Sequence, residues 1–258
     1  QTAKMTVYKT TLYVEGGTNL TGINQLDVEG EQNDGTSANS HIYVRGAASL
    51  GNVYLFGRSR LYVSDTSGSS SAKNVYIGWR YNNSNGNRED HGRALFELAA
   101  NSKFKVTGNV EIETRWGDAP LPGSGGPALY MRDKSQLYAD YVENFNSEQF
   151  IGYNAIMCVR DYWIQNKNDR GYTKLKFGRY GKLLTRSGSR YLRATSAATT
   201  GNCYASGCNN TQEFTSKFTS SDSILSNSTP HKKFAVSVEW SYPDTTGAYN
   251  TYCGKWYY

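Results

Sequence analysis

Gly51-Asn52-Val53-Tyr54-Leu55-Phe56-Gly57-Arg58-Ser59-Arg60-Leu61-Tyr62-Val63 decides how this chain is read, because the phrase returns. Residues 94–112 read A-L-F-E-L-A-A-N-S-K-F-K-V-T-G-N-V-E-I, and residues 128–142 read A-L-Y-M-R-D-K-S-Q-L-Y-A-D-Y-V. The shared grammar is an alternating apolar triplet, four or five small or polar residues often ending in Ser-x, and a second alternating triplet. A third short strand follows, announced by Asn52-Val53, Asn74-Val75 and Asn109-Val110. Repeats on this scale predict stacked coils, each a unit that buries its apolar face only against its neighbours.

The third strands measure the coil. Leu26 to Val53 is 27 residues, Val53 to Val75 is 22, Val75 to Val110 is 35 and Val110 to Val142 is 32. The shortest spacing suits three short strands and three tight corners at ~3.3 Å per residue. The longer ones carry visible insertions, Arg80 to Gly92 and Thr114 to Pro127, both after the third strand and so both at one corner of the stack. An ordinary antiparallel sandwich also reads as short alternating strands. Here the strands come in threes and are joined by corners, not by Asn-Gly hairpin turns. Earlier in the chain, Lys4–Val7 and Leu12–Val14 form the first two strands, with Met5, Val7, Leu12 and Val14 facing inward on a period of two.

The expected fold is therefore all-β: a parallel β-helix of about five to six irregular coils over residues 1–170. Residues 171–258 are expected to form a β-rich, basic, disulfide-containing cap. A solenoid needs such an ending, since its last coil would otherwise present a pairing edge and an apolar core. The composition agrees, with 26 Gly, 5 Pro, 21 Tyr and only 38% hydrophobic residues in 258. No apolar run reaches membrane-spanning length. The N-terminus, Gln1-Thr2-Ala3-Lys4, has neither the charged start nor the apolar core of a secretion signal; the expectation is that secretion processing has already happened or that the sequence was trimmed.

Segments such as Ala100-Asn101-Ser102-Lys103-Phe104-Lys105-Val106-Thr107-Gly108-Asn109-Val110 resemble coils of bacterial β-solenoids: bactofilin-like proteins and the solenoid domains of some type IV minor pilins and surface adhesins. The resemblance covers roughly residues 1–160. The late cysteines also resemble those of pilin-type head domains, although the long apolar N-terminal helix of a pilin is absent from this sequence. The resemblance implies an extracellular structural or adhesive role.

Four cysteines, Cys158, Cys203, Cys208 and Cys253, fit no zinc spacing and point to disulfides in an oxidising compartment, with three connectivities open. The net charge of +6 is uneven. Residues 1–170 carry 17 Lys+Arg against 18 Asp+Glu, whereas residues 171–258 carry 11 against 4. The basic stretch contains Lys174, Lys176, Arg179, Tyr180, Lys182, Arg186, Arg190 and Arg193, with no acid between Gly171 and Gln212. Cations interleaved with aromatics suit a polyanion, either DNA or an anionic polysaccharide.

Trp79, Arg80, Tyr81, Arg115 and Trp116 stand at the mouths of the two insertions. There, flat rings beside Arg and Asn suit sugar recognition. Catalytic candidates are sparser. Glu89-Asp90-His91 is the densest ionisable cluster, and Glu111 and Glu113 share the outward face of one strand if Val110 and Ile112 face inward. His41, His91 and His231 are isolated, and no metal or cofactor set assembles. Gly123-Ser124-Gly125-Gly126-Pro127 lacks the Lys and the strand–helix context of a phosphate loop.

The expected function is that of a non-enzymatic, extracellular structural or adhesive solenoid, a pilus- or filament-associated subunit or adhesin. Its expected partners are copies of itself, other surface subunits, polysaccharide or DNA. The rival readings are a carbohydrate-active β-helix enzyme and a polyanion-binding module.

Overall fold

In the computed structural model the described residues are 3–30, 40–78, 94–113, 128–145, 148–165, 174–177, 181–185, 192–194, 211–216, 225–237 and 253. Among them there is no helix, and so none long and apolar enough to cross a membrane. The first coil holds β1 (Lys4–Tyr8), β2 (Thr11–Val14), β3 (Thr18–Leu20) and β4 (Gln25–Glu29). The following coils alternate short and long strands: β5 (Ser40–Val44), β6 (Ala48–Phe56), β7 (Ser59–Val63), β8 (Ser71–Ile77), β9 (Leu95–Leu98) and β10 (Lys103–Glu113). They continue as β11 (Leu129–Met131), β12 (Gln136–Phe145), β13 (Glu148–Ile151) and β14 (Ile156–Gln165). Then come β15 (Lys174–Phe177), β16 (Lys182–Thr185), β17 (Leu192–Ala194), β18 (Thr211–Ser216) and β19 (Leu225–Ser237).

These strands deal alternately into two sheets. The broad sheet runs β1-β4-β6-β8-β10-β12-β14-β16, with β3 beside β6 and β17 beside β14; the narrow sheet runs β15-β13-β11-β9-β7-β5-β2. Every pairing in both is parallel, and only β18 and β19 pair antiparallel. This is a parallel β-solenoid wound as two facing sheets, not a sandwich. Three of its strands, β15 to β17, lie in the part of the chain expected to form the cap, and β18–β19 make the β-hairpin beyond them.

The register follows the repeat residue by residue. Leu26 pairs with Val53, Val53 with Val75, Val75 with Val110, and Val110 with Val142, and all five are fully buried. The opposing sheet supplies the rows Ile42-Leu61-Phe96-Leu129 and Val44-Val63-Leu98-Met131-Ile151, likewise fully buried. Between the sheets these side chains form one continuous apolar core from Val7 to Leu183. A one-residue slip in any coil would turn its buried row outward, so burial itself fixes the register.

The expected second and third strands of a coil are continuous in the middle coils. Leu50 and Val53 both face the core, as do Ala72 and Val75, although strict alternation would put them on opposite faces. That phase slip is the third corner, taken inside one strand. In β10 the corner holds an additional residue: Val106 pairs with Ala139, but Asn109 pairs with Tyr141. At the two ends of the stack the strands separate, so β3 and β4 flank β6, and β16 and β17 flank β14.

Asparagines bind the corners together from outside. Asn52 Nδ2 donates to the Asn24 carbonyl at 2.8 Å, Asn74 Nδ2 donates to Asn52 Oδ1 at 2.8 Å, and the Asn109 N–H donates to Asn74 Oδ1 at 2.7 Å. Each amide satisfies a group on the neighbouring coil, which is why Asn precedes Val in the repeat. Gly108 fits against this ladder only because it lacks a side chain; a Cβ there would lie 2.3 Å from Asn74 Oδ1.

The opposite corner, from narrow to broad sheet, is a four-residue turn in three successive coils. Its third residue, Asn101, Lys134 or Asn154, is left-handed with φ of 63°, 59° and 53°. The longer turn at 64–70 is closed by Asp65, whose carboxylate accepts from the N–H and hydroxyl of Ser67 and of Ser70. Burial pushes the Asp65 carboxyl up, but those four hydrogen bonds outweigh it and hold the group below its ordinary value.

Candidate binding face

The middle residue of each narrow-sheet triplet points away from the core. In chain order these residues are Tyr13, Tyr43, Tyr62, Glu97, Tyr130 and Phe150, and backbone register continues the row to Lys176. Parallel in-register strands stack like on like, so the rings form a file. Tyr13 and Tyr43 lie 5.4 Å apart, Tyr43 and Tyr62 5.4 Å, and Tyr130 and Phe150 5.2 Å, centroid to centroid. Tyr13, at the end of the file, is 51% exposed.

Arginines flank the file on both sides. Arg45 follows its triplet and lies over the Tyr13 ring at 4.1 Å; Arg132 follows its own and lies 5.1 Å from the Tyr130 centroid. Arg60 precedes its triplet and lies 4.7 Å from Tyr62. A guanidinium over a ring face gains from the ring quadrupole while its edge stays free to donate. Arg45 makes no ion pair among the described residues.

Glu97 takes the place of a tyrosine in the fourth coil. Its side chain is 2% exposed, and its two oxygens accept from Arg60 Nη2 and Arg132 Nε. The hydrogen bond to this carboxylate raises the Arg132 guanidinium above its usual value. The triad has a net charge of +1, so the file stays cationic through the only carboxylate row position it contains among the described side chains. Arg132, 48% exposed, engages Glu97 through Nε.

The broad sheet's outer surface differs. Its third-strand face aligns Asp27, Tyr54, Tyr76, Glu111 and Glu143. Asp27 is held by Lys4 at 2.6 Å, and Tyr54 and Tyr76 stack at 4.5 Å. Burial, then the Glu111 charge and the Tyr54 hydroxyl, push the Tyr76 phenol up to about 12. The second-strand face is covered at its far end, where Tyr138, Cys158 and Leu184 pack with Cys253. Cys158 and Cys253 form a disulfide, which fixes residue 253 onto the outside of β14.

Of the residues expected to bind a polyanion, Lys174 and Lys176 sit on β15 in the narrow sheet, whereas Lys182 and Arg193 sit on β16 and β17 in the broad sheet. The structure thus divides the basic stretch between two sheets and joins its first two lysines, by register, to the aromatic file. Arg179, Tyr180, Arg186 and Arg190 lie outside the described residues, as do Trp79, Arg80, Tyr81, Arg115, Trp116, Glu89, Asp90, Cys203 and Cys208. Val110 and Ile112 are buried, which turns Glu111 outward; across the coil it stands in register with Glu143. Among the described residues no three His, Cys, Asp or Glu side chains gather as metal ligands.

The file was not among the expected binding residues, although its signal is plain in L-Y-V at 12–14, I-Y-V at 42–44, L-Y-V at 61–63 and L-Y-M at 129–131. Compared with known protein families, curated proteins and solved structures, the chain matches none.

Proposed function

We propose that this protein is a structural, adhesive β-solenoid of the cell exterior, a surface adhesin or a pilus- or filament-associated subunit, whose stack is a rigid rod and whose narrow sheet makes the contacts. One observation carries the reading: the aromatic–arginine file runs along the narrow sheet, with the Glu97–Arg60–Arg132 triad in place of a ring in the fourth coil, and lies outward on a scaffold with one continuous core. The buried carboxylates Asp27, Asp65 and Glu97 are each engaged in holding coils or corners. The Cys158–Cys253 disulfide favours an oxidising compartment.

Electron microscopy of the purified chain, with attachment of protein-coated beads to polysaccharide-coated surfaces, tests it. Rods that assemble end to end or side by side, or beads that attach, are expected. Monodisperse particles whose beads attach to nothing would overturn the reading.

A carbohydrate-active enzyme is the second reading, favoured by the Glu111–Glu143 register pair. Neighbouring coils lie ~4.8 Å apart, close to the carboxyl separation of retaining glycosidases. Turnover of a polysaccharide panel that disappears in both Glu111→Gln and Glu143→Gln would establish it over the first.

A further inference from the structure

We infer that the narrow-sheet file is a binding track for a linear, β-1,4-linked acidic polysaccharide, a polyuronate lying along the solenoid axis. The inference rests on the adhesive reading above and gives its ligand class. Three observations carry it.

The first is dimension. The file spans seven strands, from Tyr13 to the register position of Lys176, which at ~4.8 Å per coil is about 29 Å of straight track. A sugar in an extended β-1,4 chain advances by nearly the same step, so one sugar can sit over each coil.

The second is the placement of charge. Successive sugars of such a chain are rotated by half a turn, so their carboxylates alternate from side to side. The cations do the same in adjacent coils. Arg45 lies on the C-terminal flank of Tyr43, and Arg60 lies on the N-terminal flank of Tyr62 in the next coil. The alternation is confined to this pair: Arg132, three coils beyond Arg45, stands on the Arg45 flank, where a half-turn per coil would place a carboxylate on the other. A guanidinium edge pairs with a carboxylate through two parallel hydrogen bonds, and Arg45 lacks any other ionic partner among the described residues. Glu97 does not repel the ligand, since both its oxygens are occupied by Arg60 and Arg132.

The third separates sugar from nucleic acid. Single-stranded DNA binds by stacking bases on open ring faces. Here the faces are taken: Tyr13 and Tyr43 stack on one another at an interplanar angle of 23°, and Arg45 covers Tyr13. The phenol hydroxyls can hydrogen-bond to sugar hydroxyls and carboxylates.

The experiment is calorimetric titration of the full oxidised chain with defined-length oligomannuronate. Cello-oligosaccharide, the same ribbon without charge, and single-stranded DNA of equal charge run alongside. Oligomannuronate is expected to bind, and to bind more weakly as salt rises; cello-oligosaccharide is expected to be at least tenfold weaker. Arg45→Gln, at an exposed position, should lower affinity by tenfold or more, and Tyr43→Phe, which keeps the stacked ring, by severalfold, both with thermal melting unchanged. Lys103→Gln, on the broad sheet, should leave it as it was. Equal binding of the neutral ribbon, tighter binding of DNA, or affinity unmoved by both file variants would overturn the proposal. So would absence of oligomannuronate binding. Rods in micrographs of that same sample would then retain the adhesive reading while the ligand class falls.

Discussion

Glu97 is the residue on which the outer face balances most finely. A nearly buried carboxylate is tolerable because two guanidinium groups neutralise it, and either alone leaves it half satisfied. Arg60→Met or Arg132→Met, which keep an apolar stem, should each cost about 1–2 kcal/mol in urea unfolding. The double variant should cost more than their sum, about 3–5 kcal/mol, because it strands a buried charge. Additive losses would show that the carboxylate reaches water unaided. Gly108 is constrained differently: Gly108→Ala drives a methyl into Asn74 and the Lys73 carbonyl, and should destabilise by about 1–3 kcal/mol.

Tyr76 supplies the pH dependence. Its phenol titrates at 10.0 when unperturbed and at about 12 in the fold, so the native state holds that proton more tightly. Its contribution is complete below pH 10 and is lost as pH rises towards 12. The urea midpoint of the wild-type chain should fall across that window, and Tyr76→Phe should flatten the fall. An unchanged slope in the variant would assign the alkaline loss to other groups.

Among elements, the narrow-to-broad corner is the most regular, and Lys134 is its least comfortable member. Asn101 and Asn154 take the left-handed conformation readily, whereas Lys134 takes it against its Cβ. Lys134→Asn should stabilise by up to ~1 kcal/mol, and Asn101→Ala should destabilise by a similar amount, both read from thermal melts.

The strands themselves were readable in advance because alternation marks a half-buried strand and the Asn-Val step marks its corner. Spacings of 27, 22, 35 and 32 residues between Leu26, Val53, Val75, Val110 and Val142 became the register without adjustment. The merging of second and third strands was not readable. A phase slip such as Leu50-Gly51-Asn52-Val53 has the same sequence signature whether hydrogen bonding continues through it or stops. The file of tyrosines was hidden for another reason: within a triplet, Tyr62 and its neighbours Leu61 and Val63 all count as apolar, and only the register reveals that like rings align.

For the whole molecule, the disulfide joins residues 95 apart and ties residue 253 to the stack. The sequence left three pairings open, since pairing depends on where the chain returns after it leaves the repeat. Cys253→Ser should lower stability by about 2–4 kcal/mol and expose Tyr138 and Leu184, read as added dye binding at the same melting-corrected temperature. An unchanged melt would mean that this segment docks without its covalent tie.

The central claim is that parallel coils bring Tyr13, Tyr43, Tyr62, Tyr130 and Phe150 into one file, on which both the adhesive role and its ligand depend. Paired cysteines read this directly. Tyr43→Cys with Tyr62→Cys places thiols on register partners in adjacent coils, whereas Tyr43→Cys with Tyr130→Cys places them three coils apart, about 14 Å. A short bis-alkylating reagent, followed by peptide mass mapping, should bridge the first pair and leave the second unbridged. Bridging of the second pair, or failure to bridge the first, would contradict the file.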